Sequence, residues 1–515
     1  MAAATASTPS QESAGSPWLA LLAIIAGAFV AILNNSLINV ALPKLVNVFG
    51  STTERIQWVL TGYMLASGVI IPISGFMGDK LGYKKFMIIA LGVFTGGTAL
   101  CAVAWSDTSL IIARVIAGLG GGVIMPLSMT LVYKIMPREQ IGTALGLWGI
   151  SAMVAPAVGP TLSGYLIEWL NWRFLFIVTI PVALFAIVMT WVLLKETERQ
   201  ENMKFDWGGF ILTSLSAGTL LYALSNGKTA GWTSFEIVSL FFISFWSLVF
   251  LVYVETGKEK PLINLSLLRN FHYTLSIITG SLVMIGMYGG VFLTPLFLQN
   301  IQGVSPIDTG ILLMPQAIAM AIMMPISGKL FDKVGVVPIG LVGITLTSVM
   351  SYELHRLTAT TSHEWLNLIL TIRGIGIGLC MMPLSTVGMN AIAATAPKEM
   401  GNASSLSNLV RQVAASFGIA VLTTIMQNRA SLHFDHMRES VTLDAASTVQ
   451  AYYGTSGIST LAGMMQLDAT ARAIGDTFLV SSIPLFISIP LVLLFIQRKK
   501  AAPPQPEIAK EREEA

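Results

Sequence analysis

Three arginines stand out chemically in this 515-residue chain, because each lies inside a long apolar stretch. They are Arg114, Arg373 and Arg411. A guanidinium group inside a membrane is costly unless it faces protein, water or a ligand, and such residues often mark substrate or ion pathways. The alternative is a structural role, in which backbone carbonyls bind the arginines and hold helices together. We therefore treat all three as candidates for substrate binding or for coupling.

Two amides and two carboxylates complete the set of candidate residues. Asn34 and Asn35 lie in the first apolar run, and a rise of 1.5 Å per residue places Asn34 at nearly the depth of Arg114. We expect these two side chains to meet. Asp308 and Glu353 lie near the ends of their apolar runs, where they are either proton-binding groups or ordinary solvated residues of the membrane interface.

Other kinds of functional site find no support in the sequence. We find no nucleotide-binding loop, no Ser/His/Asp pattern and no tight metal-ligand spacing, and so we expect no enzyme activity, no cofactor and no metal. The two cysteines, Cys101 and Cys380, both fall within apolar runs, which indicates buried thiols rather than a disulfide. The net charge of +3 is dispersed over short loops, and therefore nucleic acid is not an expected partner.

Composition indicates an all-α integral membrane protein. Hydrophobic residues make up 54% of the chain and charged residues only 11%, which is too few to cover a soluble surface of this size. Fourteen apolar runs have the length of a bilayer span. They begin near residues 18, 56, 86, 110, 142, 174, 207, 235, 273, 309, 336, 366, 403 and 477.

Lysine and arginine favour one side of the predicted membrane. Placing the N-terminus in the cytoplasm puts the basic cluster of Lys80, Lys84 and Lys85 there too, together with the tail at 498–515. We therefore expect both termini inside, in a multi-pass protein of the cell (inner) membrane. Residues 1–17 form the expected N-terminal tail, and the polar segment 428–476 is the one long outer loop.

Repeated motifs divide the chain into two halves. The segment G-F-M-G-D-K-L-G-Y-K-K at 75–85 has a weaker copy, G-K-L-F-D-K-V-G, at 328–335. Arg114 is followed by M-P-L-S at 125–128, and Arg373 is followed by the same tetrapeptide at 382–385. These matches predict six-helix halves at 18–200 and 261–497, with two inserted helices at 201–260.

These motifs resemble the major facilitator superfamily, and within it the fourteen-helix drug:proton antiporters. The segment 75–85 is similar to the loop between the second and third helices of that family, and 110–122 is similar to its fourth-helix motif. A-P-A-V-G-P-T-L-S-G at 155–164 is similar to the fifth-helix signature of exporters, and L-N-N-S-L-I-N-V-A-L-P at 33–43 is similar to the first-helix motif. The resemblance covers essentially the whole chain.

The resemblance implies roles for two groups of residues. It implies that Asp79 is a charge latch that favours an outward-open state, placed where the third helix begins, and that the exporter signature matters for the direction of transport. The conformational residues carried over in this way are Gly75, Asp79, Gly82, Lys84, Lys85, Pro156, Gly159, Pro160 and Gly164. The structural alternative for the segment 75–85 is an ordinary solvated loop, and the alternative for the signature at 155–164 is a simple packing kink.

One position departs from the family pattern. The first-helix motif normally carries an aspartate where this chain has Asn34, and an amide neither takes up nor releases a proton at working pH. The resemblance implies a secondary transporter that exports drugs or other amphipathic molecules in exchange for protons. A dedicated exporter of one metabolite, siderophore or antibiotic is the alternative, and a non-transporting sensor or assembly subunit is another. A periplasmic adaptor is a conceivable partner of the outer loop.

Overall fold

The computed structural model describes residues 17–137, 140–197, 199–200, 204–258, 261–440 and 443–496. These ranges hold α-helices, short 3-10 turns and connections, and they hold no strand. Long apolar stretches fold in this way because a membrane leaves each backbone N–H and C=O to be satisfied inside its own helix. Residues 1–16 of the expected N-terminal tail and the whole tail at 498–515 lie outside the described residues, as do Arg138, Glu139 and Lys260.

Sixteen helices can be followed through the described chain. The first half contains α1 Pro17–Phe49, α2 Thr53–Ile70, α3 Ile73–Leu81, α4 Tyr83–Ala102, α5 Asp107–Ile135, α6 Ile141–Trp169, α7 Phe174–Ile177 and α8 Thr179–Leu193. The inserted pair is α9 Trp207–Ala230 and α10 Phe235–Thr256. The second half contains α11 Phe271–Asn300, α12 Pro306–Val334, α13 Val336–Glu353, α14 His363–Thr395, α15 Met400–Ser440 and α16 Leu443–Leu493.

Serine side chains set the start of several helices. Ser106, Ser234, Ser305 and Ser362 each accept a hydrogen bond from a backbone N–H in the first turn of α5, α10, α12 and α14. Such caps satisfy donors that have no partner inside the helix. The caps therefore mark where the chain turns back into the next span.

Thirteen helical stretches of the described chain are long and apolar enough to cross a membrane, and the number rises to fourteen if α2 and α3 form one broken span. These two helices meet at a bend of 58° around Ile71 and Pro72. The prediction of an all-α protein with fourteen spans is confirmed with α2 and α3 taken together.

Two local expectations are wrong. Asp79 does not lie at the start of the third spanning helix, because it belongs to the last turn of the short helix α3, and the spanning helix α4 begins four residues later at Tyr83. The segment 428–476 is not a loop, because α15 continues to Ser440 and α16 already begins at Leu443. The polar composition of that segment predicts exposure to water, but it does not distinguish a loop from an exposed helix.

The two ends of the helix bundle carry different residues. We call the end that holds Lys84, Lys134 and Lys329 the basic end, and the end at which α5 begins at Asp107 the far end. The halves pack together mainly through α6 and α12, and at the basic end also through α3 and α5 against α15. The inserted hairpin of α9 and α10 packs against α2 and α15.

Candidate functional site

Arg114 is fully buried and lies at the centre of a polar network in the first half. Its Nη1 donates to Asn34 Oδ1 at 2.5 Å, its Nη2 donates to Asn35 Oδ1 at 3.1 Å, and its Nε donates to the carbonyl of Val59 at 3.1 Å. The guanidinium also lies 4.1 Å from the ring centre of Tyr63. The expected meeting of Asn34 and Arg114 is present, and helices α1, α2 and α5 all contribute to it.

Neutral oxygens, rather than a carboxylate, surround this buried charge. Asn34 is 1% exposed, and its Nδ2 donates to the hydroxyl of Thr179 at 3.2 Å. Thr179 in turn donates to the carbonyl of Phe176 at 2.8 Å. The amide of Asn34 therefore uses its oxygen for Arg114 and its nitrogen for α8, which fixes the orientation of its side chain.

Arg373 occupies the corresponding place in the second half, but its surroundings differ. Its Nε donates to Ser351 Oγ at 2.8 Å, and its Nη2 donates to the carbonyls of Gly286 at 3.0 Å and Met287 at 3.3 Å. The side chain is fully buried, and the α-carbon of Gly290 lies directly against it. This arrangement fits the structural alternative, in which an arginine ties α11, α13 and α14 together.

Arg411 is the least enclosed of the three arginines. It is partly exposed, and its Nη2 donates to Ser385 Oγ at 2.5 Å. Arg411 lies on α15 and Ser385 on α14, in the second M-P-L-S motif. A small cavity borders both residues. The structure thus places Arg411 beside open space between the helices of the second half.

The structure does not bring the two candidate carboxylates to these arginines. Asp308 is exposed in the first turn of α12, where it accepts a hydrogen bond from Ser305 Oγ at 2.8 Å. Glu353 forms an ion pair with Arg356 at 3.2 Å at the end of α13. Both positions fit the alternative of residues at the membrane interface.

The described residues contain no group of three or more His, Cys, Asp or Glu side chains that could hold a metal ion. His433 instead lies 2.7 Å from Asp476, which also accepts from Arg429 at 2.7 Å. These contacts join α15 to α16.

The exporter-like signature of α6 contacts both halves of the protein. A side chain at Gly159 would collide with Ser36 of α1, whose hydroxyl donates to the carbonyl of Pro156 at 3.2 Å. A side chain at Gly164 would meet Ile307 of α12. The helix runs through Pro156 and Pro160 without interruption. The signature therefore lies where the first half packs against the second.

Hydrogen bonds close the basic end between the halves. Ser405 Oγ lies 2.6 Å from Ser74 Oγ and accepts from the backbone N–H of Gly75 at 3.1 Å. Ser404 Oγ donates to the carbonyl of Pro126 at 2.9 Å. Gly75 also allows close packing, because a Cβ at this position would lie 2.9 Å from the backbone of α15.

The charged residues of the first motif copy interact mainly within their own half, and Asp79 is also close enough to Glu399 of the second half for the two carboxylates to repel each other. Asp79 is half-buried and interacts electrostatically with Lys134 of α5, whose ammonium group lies 4.4 Å from the ring centre of Tyr83. Gly82 separates α3 from α4 with a φ of +87°, a conformation that favours glycine. Lys85 is exposed and Lys84 is partly buried.

The weaker second copy makes a contact that sequence reasoning missed. Asp332 faces the backbone N–H groups of Gly142 and Thr143 at the start of α6, and it accepts from the Thr143 hydroxyl at 3.4 Å. A carboxylate at the N-terminus of a helix is favourable, because the helix dipole is positive there. The sequence did contain one signal for this contact, because Asp332 occupies the position in the second motif copy that Asp79 occupies in the first.

Comparisons with known proteins agree with this architecture. The family profile of the Major Facilitator Superfamily matches residues 24–419. The MFS-type transporter YhcA of Bacillus subtilis (strain 168) is 35% identical over 445 residues, which cover 86% of this chain and 83% of YhcA. The multidrug transporter protein MdtP of the same organism is 30% identical over 413 residues, covering 80% of this chain and 76% of MdtP.

A solved structure shares the fold at low sequence identity. The human organic anion transporter MFSD10 superposes with a TM-score of 0.62 at 14% identity, covering 92% of this chain and 99% of that one. At 14% identity, this similarity shows that the two proteins share a fold, and it says nothing about a shared substrate. The family match over residues 24–419 and the identity to YhcA lead to one conclusion: this chain belongs to the Major Facilitator Superfamily of membrane transporters.

Proposed function

We propose that this transporter exports drugs or other amphipathic small molecules from the cytoplasm by alternating access, in exchange for protons. The observation that carries the proposal is the closure of the basic end. Five hydrogen bonds that involve side chains join the halves there, and the backbone N–H groups of Gly142 and Thr143 add contacts to Asp332 at the same end. Hydrogen bonds between the halves at one end, which can break to open that end, are what alternating access requires, while α6 and α12 also pack together near the far end at Gly164 and Ile307.

The direction of transport rests on orientation and on relatives. Under the positive-inside rule the basic end faces the cytoplasm, both termini lie inside, and the protein belongs to the cell (inner) membrane. The closed conformation is then outward-facing. MdtP, which matches 80% of the chain, is named a multidrug transporter. The signature at 155–164 supports export through its resemblance to exporters, and its Gly164 faces Ile307 of the other half.

The conformational role proposed for the motif residues rests on the same contacts. Asp332 would hold α6 of the opposite half in the closed state, while Asp79 would keep α3 ordered against α5 through Lys134. Gly75 would permit α3 to approach α15, since the space beside its α-carbon is filled by that helix. Release of these contacts would open the path from the cytoplasm.

Transport assays test the proposal. Purified protein is reconstituted in liposomes with an imposed pH gradient, and the movement of fluorescent drugs is followed with and without the gradient. We expect gradient-dependent drug movement, and its collapse when a protonophore is added. Drug movement at the same rate with and without the gradient would contradict proton antiport. If no candidate drug moves across the membrane, drug export is contradicted as well.

A dedicated exporter of one metabolite is the second candidate, and Asn34 is the observation that favours it. A neutral amide in place of the family aspartate leaves cationic drugs without their usual partner at this position. Susceptibility profiles of a deletion strain separate the two functions. Many unrelated drugs indicate multidrug export, and a single compound indicates the dedicated exporter.

The proposed partners are the small-molecule substrate, protons and the lipid bilayer. A periplasmic adaptor joins them if the organism has an outer membrane, and the helical continuation of α15 and α16 at the far end is the surface it would meet. Site-specific cross-linking from Arg438, which is exposed on α15, tests this docking. The absence of any cross-linked protein in the native host would contradict it.

A further inference from the structure

Arg411 differs from Arg114 and Arg373 in the groups that surround its guanidinium. Arg114 is fully buried with three acceptors and the ring of Tyr63, and Arg373 is fully buried with three acceptors of its own. Arg411 is partly exposed, and one hydroxyl, that of Ser385, accepts from it in the described chain. A guanidinium has five N–H donors, and so Arg411 keeps donors available for another partner.

The space beside Arg411 is apolar apart from the guanidinium and one hydroxyl. The small cavity there is lined by Gly280, Val283 and Met284 of α11 and by Met381, Leu384 and Ser385 of α14. Methionine side chains adapt to ligands of different shape because they are flexible and polarizable. The cavity itself measures about 10 Å³, which is room for a single water, and so a larger molecule binds here only if the methionine side chains move aside. Such a molecule would meet one cationic group at one side and an adaptable apolar wall at the other.

Arg411 lies just above the seal at the basic end. It follows Ser404 by seven residues and Ser405 by six on α15, which corresponds to about 10 Å along the helix axis. Nearby, the hydroxyl of Tyr133 of the first half donates to the carbonyl of Thr386 at 3.4 Å. A ligand that entered from the basic end would therefore be held at Arg411 when the seal closes beneath it.

Among the described residues, no acidic side chain of the spanning helices is paired with Arg411, and Asp468 and Asp476 of α16 pair with Arg472 and Arg429 instead. In helices α1 to α14, each described Asp and Glu lies within two turns of a helix end. On α15 the acidic residues are Asp435 and Glu439, which lie 24 and 28 residues beyond Arg411. A charged residue inside a membrane persists where it has a counter-charge, water or a ligand.

We propose that Arg411 binds the anionic group of the transported molecule, and that the cargo is an amphipathic organic anion such as an aromatic carboxylate or sulfonate. The inference rests on the proposed export function and names the substrate class of that site. The guanidinium fork matches the two oxygens of a carboxylate or sulfonate, and the methionine-lined wall of α11 and α14 holds the apolar part. A cationic molecule of the same size would meet the same-sign charge of Arg411.

A matched ligand series tests the substrate class. The affinities of purified protein for 2-naphthalenesulfonate, for its neutral sulfonamide and for 2-naphthylmethylammonium are measured by isothermal titration calorimetry in detergent. We expect the sulfonate to bind about tenfold more tightly than the sulfonamide, since a hydrogen bond to a charged group is the difference between them. Tighter binding of the ammonium compound, or no binding of the sulfonate at millimolar concentration, would overturn the proposal.

Three variants locate the binding group. Arg411→Gln should remove the preference for the sulfonate and leave the affinity for the sulfonamide within about twofold, and Arg411→Lys should keep part of the preference because it keeps the charge. Arg472→Gln is the control, because it removes an exposed arginine of α16. An unchanged preference in Arg411→Gln would contradict the assignment, and thermal unfolding of each variant verifies that it is folded.

The transport assay separates this inference from the proposed function. If the sulfonate preference depends on Arg411 but no compound crosses the liposome membrane, export is wrong while the anion site stands. If neutral or cationic drugs are transported and the sulfonate neither binds nor competes, export stands and the anion site is wrong.

Discussion

Asn34 Oδ1 accepts a hydrogen bond from Arg114 Nη1 at 2.5 Å, which places a neutral amide against a fully buried guanidinium. The related transporters that the sequence resembles carry an aspartate at this point of the first helix. In this chain the contact persists without the negative charge, and Asn35 and the carbonyl of Val59 supply the other acceptors. The network can therefore hold Arg114 in place, but position 34 cannot exchange a proton.

The substitution Asn34→Asp tests whether coupling is limited by this amide. A carboxylate has nearly the same shape and adds a group that can gain and lose a proton, and so we expect the pH profile of export to differ from that of the wild type. Export of cationic dyes should also increase relative to anionic ones. Asn35→Asp is the control, because that side chain is partly exposed and lies farther from Arg114. Identical pH profiles for wild type and Asn34→Asp would show that coupling lies elsewhere.

The substitution Arg114→Lys tests how far the buried network depends on guanidinium geometry. An ammonium keeps the charge but cannot reach three acceptors on α1 and α2 at once, and each unsatisfied group costs about 1–3 kcal/mol. We expect a lower thermal unfolding temperature in detergent and loss of transport. Arg55→Lys serves as the comparison, since its side chain is 58% exposed and its ion pair with Asp107 should contribute little. Equal stability of the two variants would contradict the structural importance of the network.

Neutralising Asp332 should weaken the closed state more than neutralising Asp79 does. Asp332 faces the N-terminus of α6 in the opposite half, whereas Asp79 interacts with Lys134 in its own half. The readout is disulfide formation between cysteines at Ser74 and Ser405, whose hydroxyl oxygens lie 2.6 Å apart, after replacement of Cys101 and Cys380. We expect a larger drop in cross-linking with Asp332→Asn than with Asp79→Asn. A larger drop in cross-linking with Asp79→Asn would indicate that the first motif copy, and not the second, stabilises the closed state.

A methyl group at Gly328 should separate the halves at the basic end. The Cβ of an alanine there would lie 2.1 Å from the carbonyl oxygen of Gly142, which is closer than real contacts allow. We expect Gly328→Ala to populate the inward-open state, measured as labelling of a cysteine introduced at Ser405. Gly92→Ala is the matched control, because the space beside that glycine of α4 is open. If labelling is the same in both variants, the close contact does not hold the closed state.

Asp206 should stabilise the inserted hairpin in a pH-dependent way. It caps α9 through the N–H of Gly209 at 2.9 Å and pairs with Lys258 at 2.6 Å. Burial raises the pKa of Asp206, but the hydrogen bonds from Gly209 and Lys258 outweigh it and lower the pKa below its usual value. The stabilisation is therefore complete above the unfolded pKa of about 3.9 and disappears as the pH falls through the lower folded pKa.

Two substitutions at this position separate the cap from the ion pair. Asp206→Asn keeps an N-cap acceptor and loses the charge, whereas Asp206→Ala loses both, and loss of a cap costs about 1 kcal/mol. We expect the unfolding temperature at pH 7 to fall in the order wild type, Asn, Ala. A wild-type protein whose stability changes no more than that of Asp206→Asn between pH 6 and pH 3 would contradict the charge effect.

Sequence reasoning worked well where it depended on local chemistry. The apolar runs predicted the spans because a membrane forces the backbone into helices, whereas the two halves that the repeated motifs indicate stay a prediction. The depth of Asn34 and Arg114 predicted their contact, since helical rise converts sequence position into depth. The same reasoning failed at 428–476, because polarity reports exposure to water, and an exposed segment can still be helical.

The sequence by itself determined that this protein is a helical membrane transporter, with duplicated halves and three costly arginines. Only the tertiary structure decided what each arginine faces. Arg373 is enclosed by carbonyls and Arg411 borders a cavity, although both lie in similar apolar runs. The tertiary structure likewise showed that Asp332 of the weaker second motif copy contacts the opposite half. The reason is physical: hydropathy and helical rise set depth along a span, whereas helix rotation and packing set the neighbours of a side chain.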